Sequence, residues 1–180
     1  EVKRQTRMNE ALQNLLTRRS VRKFKPDMVP EDVLSRIIEA GTYAPSGYGK
    51  QSAIILAITN KEVRDQLSKM NADILGWTDD PFYGAPVVLA VLADRSVDTH
   101  VYDGSLVLGN LMNAAHAEGL GSCWIARAKE EFESAEGKAL LQSLGVEGDY
   151  EGIGHCVLGY ADQAELTPAS RKKNWVYYVK

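Results

Sequence analysis

Short, dense apolar runs alternate along this chain with longer stretches in which apolar residues recur every three to four positions. The dense runs predict buried strands. Ser52–Thr59 (SAIILAIT) and Pro86–Ala93 (PVVLAVLA) are rich in branched residues and bounded by turn chemistry. Ser122–Ala126 and Ile153–Tyr160 repeat the pattern more weakly. The periodic stretches predict helices. Asn9–Leu16 places Leu12, Leu15 and Leu16 on one face. Pro30-Glu31-Asp32 then marks a helix start, with proline at the first position and acids in the first turn. Val33, Leu34, Ile37 and Ile38 keep helical spacing until Gly41 and Pro45 stop it. Lys61–Met70, Tyr102–Ala117 and Ser134–Leu144 read as further helices. Glycine inside a helix costs about 1 kcal/mol against alanine, so Gly104 and Gly109 predict close backbone packing. Trp175–Val179 (WVYYV) has strand chemistry at the chain end, suited to an internal edge or to a segment given to a partner.

Strands interleaved with helices set the class as α/β or α+β, a sheet between helical layers, in a single domain over residues 1–180. Composition narrows the partners. A net charge of −3 supplies no general attraction for nucleic acid or an anionic membrane. No apolar run reaches the ~18 residues that span a bilayer. Two cysteines, Cys123 and Cys156, are too few for a disulfide scaffold, which makes a reducing cytoplasm the expected compartment. Met8 is the expected natural start, with residues 1–7 foreign to the domain or unstructured.

The densest charge is Thr17–Lys25 (TRRSVRKFK), five cations in nine residues. It reads either as a solvated basic face or as an anion clamp. If it is extended, Arg18, Ser20 and Arg22 share a face, and two guanidinium forks flanking a hydroxyl suit a terminal phosphate. A second basic group, Ser170–Lys173, precedes the terminal run. Two separated basic clusters in an acidic chain point to one focused anion rather than a nucleic-acid stripe.

Three tempting motifs fail. APSGYGKQS (Ala44–Ser52) carries Gly49-Lys50, but lacks the first glycine of a P-loop, places Gln51 after the lysine, and joins a helix to a strand in the wrong order. GLGSCWIA (Gly119–Ala126) has Trp124 where a dinucleotide fingerprint needs its last glycine. GSCW also matches part of a thiol-protease signature, yet Leu120 replaces the first cysteine and too little chain follows Cys123 for the distant histidine. His116 and His155 read as packing residues; His155 and Cys156, as strand neighbours, face opposite ways and make poor joint metal ligands. Asp79-Asp80 and Glu130-Glu131 read as solvated charges. No nucleophile–base pair and no metal set emerges, a pattern that suits chemistry brought by a phosphorylated cofactor.

Five segments in register, RRSVRKF (Arg18–Phe24), APSGYGKQ (Ala44–Gln51), FYGAPVVL (Phe82–Leu89), GLGSCWI (Gly119–Ile125) and LGY (Leu158–Tyr160), resemble the nitroreductase family of flavin enzymes. The resemblance implies an α+β, three-layer α/β/α sandwich with a central mixed sheet, in an intertwined homodimer that exchanges its C-terminal strands. It implies non-covalent FMN, held at the phosphate by Arg18, Ser20 and Arg22 with Arg19 adjoining, and by Arg171 with Lys173 beside it. Pro45, Ser46, Gly47, Gly49 and Gln51 of the partner subunit would lie along the flavin, and Trp124, Ile125 and Ala126 beside its ring, where a backbone N–H meets N5. Gly49 stands where the family often has asparagine, and Ser52 and Ala53 where proline and tryptophan are common. The implied activity is a two-step reduction in which NADH or NADPH reduces the flavin and a nitroaromatic, quinone or similar small-molecule electron acceptor is then reduced, with no catalytic acid or base. The alternatives are an FMN-binding protein without turnover and a cysteine hydrolase using Cys123.

Overall fold

The computed structural model describes residues 8–180, so the expectation about residues 1–7 lies outside the described residues. Among the described residues six α-helices and four strands follow in the order α1 (Glu10–Thr17), α2 (Glu31–Thr42), β1 (Ala53–Ile58), α3 (Lys61–Leu75), β2 (Val87–Asp94), α4 (His100–Ala117), β3 (Gly121–Ile125), α5 (Ala128–Glu133), α6 (Ala135–Ser143) and β4 (Tyr150–Gly159), with a short 3-10 turn at Gly47–Gly49. Local chemistry sets the helix ends. Asn9, Asn60 and Ser134 each accept an N–H of the first turn of α1, α3 and α6, a cap that contributes about 1 kcal/mol. Pro30 is itself the cap of α2 rather than its first helical residue. Gly76 closes α3 in the left-handed conformation that glycine adopts at least cost.

The sheet order is β1-β2-β4-β3. All three pairings are antiparallel, where a mixed sheet was expected. The excursions through α3 and through α5–α6 each return to the end of the sheet they left, which reverses the next strand. Among the described residues the parallel component is a single bridge, Ser20 to Ser122, through which the basic segment joins the edge of β3. Between β2 and β4 the register skips Ile153: Val91 faces Gly154, whereas Leu92 faces Gly152.

β2 is the centre of the molecule, and Val87 through Ala93 have no exposed surface. Alternation splits its side chains between two apolar layers. Val88, Ala90 and Leu92 pack with Leu67, Phe82, Phe132 and Leu141 on the α3, α5 and α6 side. Val87, Leu89 and Val91 pack with Ile37, Leu108 and Leu111 on the α2 and α4 side. A helix–sheet–helix sandwich results, as expected. Of the two helix glycines, Gly104 meets the packing expectation: a Cβ there would sit 2.6 Å from Ile153 Cγ1. Gly109 does not, since a Cβ there meets nothing within 4 Å.

Three further expectations are corrected. β1 is an edge strand and only partly buried, because strand order rather than sequence periodicity decides which apolar strand is flanked on both sides. α5 was not foreseen, and Glu131 on its inner face is fully buried. Asp80 is not a free surface charge either: it accepts from Arg64, from Ser68 (2.6 Å) and from the Phe82 and Gly84 N–H groups (2.9 and 2.8 Å). Burial pushes the Asp80 carboxyl up, but these donors outweigh it and hold the group below its usual range. Among the described residues the terminal Trp175–Val179 pairs with no strand, and it is largely exposed, with Tyr178 82% and Val179 99% accessible.

Candidate functional site

The basic segment and the basic tail meet. Arg18, Arg19, Ser20 and Arg22 line one side of a cleft of about 640 Å³, and Leu166–Ala169 with Arg171 line the other. The segment is pinned to the sheet by the Val21 N–H donating to the Ser122 carbonyl at 2.9 Å, and to the tail by the Arg22 N–H donating to Gln163 Oε1 at 2.9 Å. Arg19 donates to the Leu16 and Arg18 carbonyls at 2.9 and 2.7 Å, and Arg171 donates to the Ala169 carbonyl. Two buried guanidinium nitrogens, one η nitrogen of Arg18 and Nε of Arg19, meet no protein acceptor. A buried cationic donor without a partner is costly. Lys173 does not line the cleft.

The turn between α2 and β1 is organised by a residue that sequence reading missed. Asp103, in the first turn of α4, is 3% exposed and accepts from the Gly47 N–H (3.0 Å), Ser52 Oγ (2.6 Å) and Thr99 Oγ1 (3.1 Å). Burial pushes its carboxyl up, and the three donors more than reverse this, leaving it below the usual range. Its signal was available: it is the only acid in an apolar helix. The turn itself is tight. Tyr48, Gly49 and Gln51 hold φ of 53°, 65° and 50°, and a Cβ on Gly47 would lie 2.2 Å from Thr99 Oγ1. Pro45, Ser46 and Gln51 line a second cavity of about 400 Å³ with Ile38, Asp103 and Val107. Within one chain this cavity shares no lining residue with the arginine cleft, and Gly49 lines neither.

Trp124 and Ile125 end the edge strand β3, and Ala126 follows them. Trp124 is 46% exposed and lies over Gly154, Ile125 is buried, and the Ala126 carbonyl accepts from Asn71 at 2.9 Å. The neighbouring thiol is an unpromising nucleophile. Burial pushes Cys123 up against the opposing pull of Arg22, Ser20 and Arg18, and pushes Cys156 up to about 12. No group of three or more metal-ligating side chains occurs among the described residues.

The model of the nitroreductase family matches residues 15–75 and 73–160. The chain belongs to the nitroreductase family. A nitroreductase with bound FMN from Bacteroides fragilis superposes with a TM-score of 0.87 at 28% identity, covering 96% of this chain and 100% of that one. A Methanothermobacter thermautotrophicus protein is 28% identical over 124 residues, which is 64% of this chain and 60% of that protein. The Bacillus subtilis FMN reductase [NAD(P)H] is 28% identical over 137 residues, 64% of this chain and 53% of its own. These two matches thus span little more than half of the relatives' length. In this nitroreductase-family chain the five resemblance segments fall on the cleft, the α2–β1 turn, the start of β2, β3 and the end of β4.

Proposed function

We propose that the chain binds FMN non-covalently and works as an NAD(P)H-dependent oxidoreductase on electron-poor small molecules. The observation that carries this is the arginine cleft with its two unsatisfied buried donors, in a nitroreductase-family chain whose FMN-bound relative covers nearly all of it. Arg18, Arg19, Ser20, Arg22 and Arg171 would hold the phosphate; Lys173, which does not line the cleft, would act on it only as a nearby charge. Trp124, Ile125 and Ala126 would flank the ring. Pro45, Ser46, Gly47, Gly49 and Gln51 would serve the flavin of a second copy, which fits their separation from the arginine cleft in a single chain. FMN, when bound, supplies the hydride-accepting and hydride-donating centre. The chain's own part is to bind, to orient and to keep NADH or NADPH and the acceptor, a nitroaromatic or quinone, in one pocket in turn.

A homodimer is part of the proposal. Leu12, Leu15 and Leu16 project from α1 with 50%, 56% and 59% of their surface exposed, and the terminal WVYYV is an apolar segment without a strand partner among the described residues. Such surface is characteristic of an interface. Among the described residues no helix is long and apolar enough to cross a membrane. The unpaired buried thiols fit a reducing compartment such as the cytoplasm.

The deciding experiment is the visible spectrum of the purified protein, followed by anaerobic NADH and then NADPH. Released FMN that bleaches with either donor is the expected result. Bound FMN that neither donor bleaches would leave only a flavin binder, and protein that cannot be loaded with FMN would end the proposal.

A further inference from the structure

Behind the end of β3 sits a polar cluster sealed between apolar layers. Asn71 of α3, Glu131 of α5 and His155 of β4 have no exposed surface. Burying such groups is costly unless hydrogen bonds offset it, and here the offset is incomplete, since Glu131 Oε1 and His155 Nε2 meet no hydrogen-bond partner. Two of the three residues hold successive carbonyls. His155 Nδ1 is 3.0 Å from the Ile125 carbonyl oxygen, and since that oxygen can only accept, Nδ1 carries the proton. Asn71 Nδ2 donates to the Ala126 carbonyl at 2.9 Å and to Glu131 Oε2 at 3.1 Å. The remaining contacts hold the holders. Arg127 Nε donates to Asn71 Oδ1 at 2.8 Å, which decides which way that amide faces. Glu131 Oε2 lies 2.7 Å from His155 Nε2, close in distance though outside hydrogen-bond angles.

The consequence follows from peptide geometry. Every peptide bond described is trans, so each N–H points opposite to the carbonyl of the residue before it. Tying the Ile125 and Ala126 carbonyls to His155 and Asn71 therefore turns the Ala126 and Arg127 N–H groups away from the buried cluster. Arg127 pays for this with a φ of 73° and ψ of 11°, a left-handed backbone that a non-glycine residue keeps only when its surroundings over-determine it. The geometry points to His155 and Asn71 as positioning residues that, through two carbonyls, aim the Ala126 and Arg127 N–H groups at the flavin edge, with Glu131 and Arg127 fixing them in place. This rests on the reading that the ring lies beside Trp124–Ala126.

Three variants test it: His155→Asn, whose amide can still donate to the Ile125 carbonyl; His155→Leu, which cannot; and Arg127→Gly, which relieves the left-handed backbone but frees Asn71. The readouts are FMN affinity by fluorescence titration, the 1H–15N shifts of the Ala126 and Arg127 amides in FMN-free protein, and the unfolding midpoint. His155→Leu should bind FMN roughly tenfold more weakly, the loss of one hydrogen bond, and should move both amide signals. His155→Asn should recover most of the affinity although it too loses the contact with Glu131. Arg127→Gly should weaken FMN binding without lowering the unfolding midpoint. Equal losses in the two His155 variants would mean a purely structural role and overturn the inference. FMN bound equally by wild type and all three variants would overturn it alone. If His155→Leu does not fold, an unchanged affinity in Arg127→Gly overturns it. A wild type that binds no FMN would overturn the cofactor reading, and this inference with it.

Discussion

Asp103 offers a sharp test of how the α2–β1 turn is held. Asp103→Ala removes an acceptor from three donors at once: the Gly47 N–H, Ser52 Oγ and Thr99 Oγ1. The two hydroxyls can rotate toward other acceptors, but the Gly47 N–H is fixed by the backbone. Hydrogen bonds to a charged group contribute about 1.5–3 kcal/mol each, so a loss of at least ~3 kcal/mol is expected. Asp103→Asn behaves differently. Its oxygen can take the Gly47 N–H while its amide donates to the two hydroxyls, which also accept. Only charge assistance is lost, for about 1–2 kcal/mol. The pH dependence supplies an independent check. The folded carboxyl titrates below its ordinary value. Its stabilisation is therefore full above the unfolded value of about 4 and is lost as pH falls through the lower folded value. The gap between wild type and Asp103→Asn should accordingly narrow only below about pH 4. Urea unfolding at fixed protein concentration, repeated across pH, reads all three quantities. Equal losses for alanine and asparagine, or a gap that is flat through the acid range, would refute the charge-assisted account.

Other outcomes follow from the same structure. Arg18→Ala removes a cleft guanidinium with a buried, unpartnered nitrogen, so FMN retention should fall about ten- to a hundredfold, measured by fluorescence titration. Leu111→Ala, at a fully buried position between α4 and the sheet, should cost about 2–5 kcal/mol in chemical unfolding. On the proposed homodimer, removing residues 174–180 should shift the protein from dimer to monomer in light scattering while the sheet core stays folded, because among the described residues this segment adds no strand to its own chain.

The sites divide by how local their causes are. RRSVR was legible as a candidate anion clamp because a cluster of guanidinium groups with a hydroxyl carries its chemistry in the residue types themselves, and the fold gathers this segment with Arg171 around one cleft. The acids were misread. Glu131 and Asp80 look like solvated charges along the chain, and become a buried and a partly buried acceptor only once α5 and the 79–85 turn fold back onto α3. His155 was legible as a packing residue but not as a donor to Ile125, since that partner lies 30 positions away and is supplied by strand pairing.

Periodicity and turn chemistry alone determined the helices other than α5, the four strands of the sheet and the layered class, because 3.6- and 2-residue repeats are consequences of backbone geometry that any window of sequence displays. Strand order, the antiparallel pairing and the edge position of β1 belong to the tertiary structure. They depend on which apolar faces find each other across the sheet, and SAIILAIT and PVVLAVLA are nearly interchangeable until that choice is made.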